Sequence, residues 1–211
     1  MLFPSLYVIL HPDLPGVSLP KLALSLAEAG VQLIQVRDKR GGAAKLLAET
    51  NEILEVLSNH TVRLIVNDRP DVAAISAAAG VHVGQGDLPV EEARKLCKSP
   101  RWVGVSTHNL AQFTEAIATS ADYIAVGPIF PTTTKENPDP VLGIDFLRAA
   151  RRLTRRPIVA IGGITLDSAE EVLRAGAHSV AVIRDLICAQ DPASRAAEYL
   201  AIAGRVRAEG K

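Results

Sequence analysis

The chain has 211 residues, about half of them apolar, with few aromatics and a formal net charge of zero from 23 basic and 23 acidic side chains. That length suits one ordinary domain or one small α/β barrel, and the core must be built from Ala, Val, Leu and Ile. The charge balance excludes a broadly basic nucleic-acid surface, so any anion site must be local.

Short apolar runs alternate with helical patterns along the whole sequence. The spacing predicts strands near 6–10, 32–37, 63–67, 81–84, 102–105, 123–127, 157–161 and 179–183. Helical patterns fall near 18–29, 42–59, 70–78, 90–97, 109–118, 143–152, 167–174 and 192–207. Ser18-Leu19-Pro20-Lys21 places a capping residue and an early proline where the first helix begins. Ala29-Gly30, Ala79-Gly80 and Ala175-Gly176 read as helix ends before the next strand. Eight strand–helix alternations predict an α/β fold, a single (β/α)8 TIM barrel over 1–211, with an open doubly wound sheet as the alternative.

The N-terminal apolar stretch lacks a preceding basic segment and reads as a first strand rather than a signal peptide. No apolar run approaches the roughly 20 residues that span a bilayer. Cys97 and Cys188 have no metal-ligand spacing and read as free thiols in a reducing cytoplasm. The longest polar connection, 128–142, carries four prolines and the run Thr132-Thr133-Thr134, which marks it for a binding or lid role.

Polar clusters sit just after the predicted strands. In a barrel, strand ends converge on one face, where sites are built. Alternation puts Gln35, Arg37 and Lys39 on one face and Val36 on the other, so a fork-shaped guanidinium and an ammonium stand together as an anion site. The same residues would also suit charges reaching solvent from a strand end. Asp68 and Asp87 follow adjacent strands. Each stands in a helix-start context, before Arg69-Pro70 and Leu88-Pro89, where a carboxylate can cap. Beside a cationic cluster they also supply hard oxygen ligands for Mg2+ bound with a polyphosphate. Gly162-Gly163 and Ile183-Arg184 end the seventh and eighth predicted strands, where barrels commonly hold a phosphate on backbone N–H groups, although Gly-Gly also simply permits a turn. His108 is open to a proton-shuttle or a structural role, and His82 reads as buried within a strand. The residues alone thus point to two phosphate sites and a metal.

The six segments Gln35-Val36-Arg37-Asp38-Lys39, Val66-Asn67-Asp68-Arg69, Val81–Asp87, Gly104–His108, Gly127–Lys135 and Ile161-Gly162-Gly163-Ile164 together resemble the thiamine-phosphate synthase family, in order and in spacing along essentially the whole chain. The resemblance implies condensation of 4-amino-2-methyl-5-hydroxymethylpyrimidine diphosphate with 4-methyl-5-(2-phosphooxyethyl)thiazole, giving thiamine monophosphate and pyrophosphate. It implies Gln35, Arg37, Lys39, Asn67, Ser106 and Lys135 around the pyrimidine diphosphate, with Lys135, Ser106 and Arg37 as the catalytic groups. It implies Mg2+ on Asp68 and Asp87, and Thr132, Thr134, Gly163, Ile183 and Arg184 around the thiazole phosphate. The aminopyrimidine pushes electrons toward its methylene carbon, so the diphosphate can leave before the thiazole nitrogen attacks, and no protein nucleophile is required. Two positions depart from the family pattern: Arg184 stands where members often have Ser, and Leu10-His11-Pro12-Asp13 stands where a Thr-Asp pair is usual. The expected partners are two phosphorylated small molecules, with no nucleic acid and no membrane, and self-association into a homo-oligomer stays open. Two other readings remain: a thiazole tautomerase-like enzyme working by proton transfer, and a non-catalytic sensor of phosphorylated thiamine precursors.

Overall fold

A computed structural model describes residues 2–12, 18–132 and 139–210. Eight parallel strands close into one barrel in chain order. They are β1 (Leu6–Leu10), β2 (Leu33–Val36), β3 (Arg63–Asn67), β4 (Gly80–Val83), β5 (Trp102–Thr107), β6 (Tyr123–Val126), β7 (Ile158–Ile161) and β8 (Ser179–Val182). The ring shuts where Leu6 of β1 pairs with Val180 of β8. The helices are α1 (Leu19–Glu28), α2 (Ala43–Val56), α3 (Pro70–Ile75), α4 (Val90–Leu96), α5 (Leu110–Ala118), α6 (Gly143–Leu153), α7 (Leu166–Arg174), α8 (Arg184–Ile187) and α9 (Pro192–Glu209). The (β/α)8 barrel expected from the alternation is the fold, and the open sheet is excluded by the β1–β8 pairing.

Strand alternation divides the core in two. One set of strand side chains, including Val8, Ile34, Val66, Val81, Val103, Ile124, Ala160 and Val182, packs outward against the helices. The alternate set, including Tyr7, Ile9, Leu33, Ile65, Tyr123, Ala125, Val159 and Ala181, fills the barrel interior. Strands buried on both faces need apolar residues at nearly every position, which is why their runs are continuous rather than alternating. At the N-terminal end of the barrel Phe3 stacks on Trp102 at 5.1 Å, and the Arg63 guanidinium lies 4.3 Å over the Trp102 ring. That end is therefore closed, and the opposite end carries the cavity.

Local chemistry sets most boundaries. Pro70 and Pro192 open α3 and α9, where a missing N–H costs nothing. Asn109 caps α5 through the Gln112 N–H at 2.9 Å, and Asp191 caps α9 through the Ser194 N–H at 3.0 Å. Ser18 occupies the cap position of α1, but its hydroxyl makes no capping bond. Two expectations are corrected. The third helix stops at Ile75, and Gly80 opens β4 instead of ending a helix. A Cβ there would overlap the Trp102 carbonyl of the neighbouring strand, so the glycine serves strand approach. The single turn α8, directly after β8, is absent from the expected elements because four residues are too few to show a helical period.

Candidate active site

A cavity of about 790 Å3 opens at the C-terminal ends of the strands. Gln35, Arg37, Lys39, Asn67, Asp68, Asp87, Ser106, Thr132, Gly163, Ile183 and Arg184 all line it. Residues spread over almost 150 positions of sequence thus meet on one surface. Thr134 and Lys135 lie outside the described residues, as do Asp13 of the first loop and the whole segment 133–138.

The face argument for β2 holds. Gln35, only 2% exposed, and the following Arg37 and Lys39 reach the cavity, while Val36 is buried among the helix-side residues. Asp38, between the two cations, turns away and organises the turn. It accepts the Arg40 N–H at 2.9 Å, the Gly41 N–H at 2.8 Å and Lys45 Nζ at 2.8 Å. Burial pushes the Asp38 carboxyl up, but the Lys45 ammonium and the two amides outweigh it and hold the group down at about 2.

Asp68 follows β3 at φ 60°, the sole non-glycine residue with positive φ among the described residues. The Asp68 carboxylate lies 3.3 Å from Lys39 Nζ and interacts with that of Asp87. Burial raises the Asp68 carboxyl above its ordinary range, the Asp87 carboxylate raises it further, and Lys39 opposes both. The capping alternative fails for both acids, because the starts of α3 and α4 carry no side-chain cap bond. Asp87 instead accepts the Gly84 N–H at 2.7 Å, which shapes its own turn. Among the described residues no three His, Cys, Asp or Glu side chains gather as a metal cage. The two aspartates are the acidic pair facing this cavity beside Arg37 and Lys39.

Across the cavity, Gly163 has φ 66°, and a Cβ there would press on Phe130 and the Pro131 carbonyl. Only glycine fits both constraints. Ile183 and Arg184 bring the start of α8 to the same wall, and Asp185 beside them is engaged by the Tyr199 hydroxyl at 2.7 Å. His108 Nδ1–H donates to the Gly127 carbonyl at 2.6 Å, with Asp139 at 3.6 Å, so this nitrogen ties β5 to the loop after β6.

Sequence reading placed Gln35 and Ser106 at the cavity and His82 inside a strand, but missed Tyr7 and Tyr123 and the polar floor that the five form. Gln35 Nε2 donates to Tyr7 Oη at 2.7 Å, and Tyr7 Oη lies 2.9 Å from Tyr123 Oη. Tyr123 Oη is 3.0 Å from His82 Nδ1, and His82 Nε2 is 2.8 Å from Ser106 Oγ. Burial lowers His82 to about 4 and raises both tyrosines. The only hint in the sequence is a hydroxyl or imidazole inside otherwise apolar strands. Gln85, within the Val81–Asp87 segment, lines the cavity and donates to the Ser106 carbonyl at 2.6 Å.

This geometry can be set beside known proteins. A family model described as thiamine monophosphate synthase matches residues 6–186. The chain is 46% identical over 204 residues to the thiamine-phosphate synthase of Koribacter versatilis (strain Ellin345), covering 94% of this chain and 95% of that one. It is 42% identical over 195 residues to the thiamine-phosphate synthase of Methanospirillum hungatei, covering 92% and 95%. The solved thiamine phosphate pyrophosphorylase from Pyrococcus furiosus superposes with a TM-score of 0.85 at 31% identity, covering 96% of both chains. With the matched region running from the first strand through α8, and the motif residues gathered around one cavity, the chain belongs to the thiamine monophosphate synthase family.

Proposed function

We propose that this cavity joins 4-amino-2-methyl-5-hydroxymethylpyrimidine diphosphate to 4-methyl-5-(2-phosphooxyethyl)thiazole, releasing pyrophosphate and leaving thiamine monophosphate. One observation carries the reading: cations from β2 and paired carboxylates after β3 and β4 line the same cavity as the Gly163 and Ile183-Arg184 wall. The first group suits a diphosphate and the second a monophosphate.

The donor set fits Mg2+. Two carboxylates, neither occupied by helix capping, are the usual protein share of a site completed by phosphate oxygens and water. Asp68 and Asp87 would hold the ion. When bound, it supplies positive charge against the charge developing on the leaving diphosphate.

The chain's own groups do the rest. Arg37 and Lys39 bind phosphate oxygens, Asn67 orients the diphosphate, and Ser106 donates a hydrogen bond to it. The methylene C–O bond breaks with its electron pair going to the diphosphate. The thiazole nitrogen lone pair then forms the new C–N bond, and no proton need be removed. By family resemblance Lys135 joins the diphosphate contacts and Thr132 and Thr134 hold the thiazole phosphate, with Gly163, Ile183 and Arg184 opposite. Among the described residues no helix is long and apolar enough to cross a membrane, and the buried thiol Cys97 accords with a reducing cytoplasm.

The test is to mix both substrates with Mg2+ and follow pyrophosphate. Release that requires both substrates and the ion supports the reading. Thiazole isomerisation without the pyrimidine would replace it with a tautomerase, and binding without turnover would replace it with a sensor.

A further inference from the structure

Five side chains from five strands form one hydrogen-bonded line across the barrel interior, from Gln35 on β2 through Tyr7 on β1, Tyr123 on β6 and His82 on β4 to Ser106 on β5. Distances alone do not orient the protons, but the Gln35 end does. An amide nitrogen only donates, so Tyr7 Oη accepts from Gln35, and the single phenolic proton of Tyr7 must go elsewhere. Tyr123 Oη at 2.9 Å receives it. The Tyr123 proton then goes to His82 Nδ1 and makes it the acceptor nitrogen. His82 Nε2 therefore carries the imidazole proton and donates to Ser106 Oγ. The reverse direction would make Tyr7 accept twice and strand its proton in a fully buried position, at the full desolvation penalty of an unpaired donor.

We infer that Tyr7, Tyr123 and His82 are positioning residues, wired so that the Ser106 hydroxyl accepts from behind and keeps its own proton for the cavity. The inference rests on the reading of the cavity given above. A diphosphate offers only oxygen acceptors, so Ser106 helps bind it only as a donor. Opposite wiring would aim a lone pair at the anion. Burial of His82, only 7% exposed, favours the neutral ring on which a fixed tautomer depends. Gly104 completes the device, because a Cβ there would overlap the Tyr123 ring that lies against it.

Two measurements test this on the full protein. Nitrogen-15 NMR of histidine-labelled protein, without substrates, reads the tautomer directly. A pyridine-type Nδ1 and a pyrrole-type Nε2 for His82 are expected. The opposite pattern means that the Gln35 amide is turned with its oxygen toward Tyr7, and overturns the wiring whatever the activity. The second measurement is a double-mutant cycle. Tyr123→Phe keeps the ring but cuts the line, and should lower kcat about 10-fold or more while leaving the thiazole phosphate KM unchanged. In a Ser106→Ala background the same change should have almost no effect, because Tyr123 acts through Ser106. Additive losses would overturn the positioning role. The expected tautomer in a protein that releases no pyrophosphate would overturn the Ser106 assignment together with the reading it rests on.

Discussion

Asp68 and Asp87 show what single residues contribute to the site. Their carboxylates interact, and burial and Asp87 both raise the Asp68 carboxyl while Lys39 opposes them, so a cation held between the two would favour their charged forms. Asp87→Asn is nearly isosteric, and its amide oxygen can still accept the Gly84 N–H, so the turn and the fold should persist. Turnover should fall by roughly 10²–10³, as for loss of one electrostatic stabiliser, with little change in thiazole-phosphate affinity. Steady-state kinetics at limiting Mg2+ checks this, and full activity would remove Asp87 from the metal site. Arg184 is one of the two departures from the family pattern. A charge-assisted bond from it to the thiazole phosphate is worth about 1.5–3 kcal/mol. Arg184→Ser should then raise the thiazole-phosphate KM by roughly 10- to 150-fold and leave the pyrimidine diphosphate constant alone. An unchanged constant would assign that phosphate to backbone N–H groups only.

Among the elements, the turn from β2 into α2 has the clearest division of labour. Successive residues 37, 38 and 39 alternate between cavity, turn and cavity, and the middle one ties the turn to Lys45 of α2 at 2.8 Å. Asp38→Ala removes the acceptor of two backbone amides and one ammonium. Its expected effect is a higher KM for the pyrimidine diphosphate, as Arg37 and Lys39 lose their placement, with a far smaller change in the thiazole constant. Kinetics with one substrate saturating separates the two, and equal shifts would point to general loosening instead. The β5–β6 pair depends on Gly104 in the same local way. Gly104→Ala should destabilise the barrel by about 1–3 kcal/mol through overpacking against the buried Tyr123 ring, as read by urea unfolding.

For the whole molecule, a buried neutral imidazole at the centre of the barrel links folding to pH. Burial depresses His82 to about 4, while in the unfolded chain it titrates near 6.5. Between those values the unfolded state binds more protons, so stability is full above about pH 6.5 and falls as pH drops toward about 4. The loss is about 3 kcal/mol. His178, also lowered by burial, acts in the same direction. Asp38, held at about 2, weakens the fold only in stronger acid. His82→Gln stays neutral throughout and should flatten most of this slope when urea midpoints are compared at pH 7 and pH 4.5. An unaltered slope would place the acid sensitivity elsewhere.

Sequence periodicity determined the barrel, its eight strands within a residue or two, and most of the cavity lining. These depend on local rules: period two in strands, 3.6 in helices, and strand ends that share a face. The same rule correctly grouped Gln35, Arg37 and Lys39. Tertiary structure alone decided the rest. Whether Asp68 and Asp87 cap helices or face each other depends on the φ 60° turn after β3 and the proximity of the β4 loop. Tyr7 and Tyr123 are 116 positions apart and touch only because closure brings β1 and β6 across one interior. The end of α3 against β3 and β4, and the single turn α8 against α9, are likewise tertiary features too short or too abrupt to show in a helical period. Local periods carry no information about such distant pairs, and barrel closure supplies it.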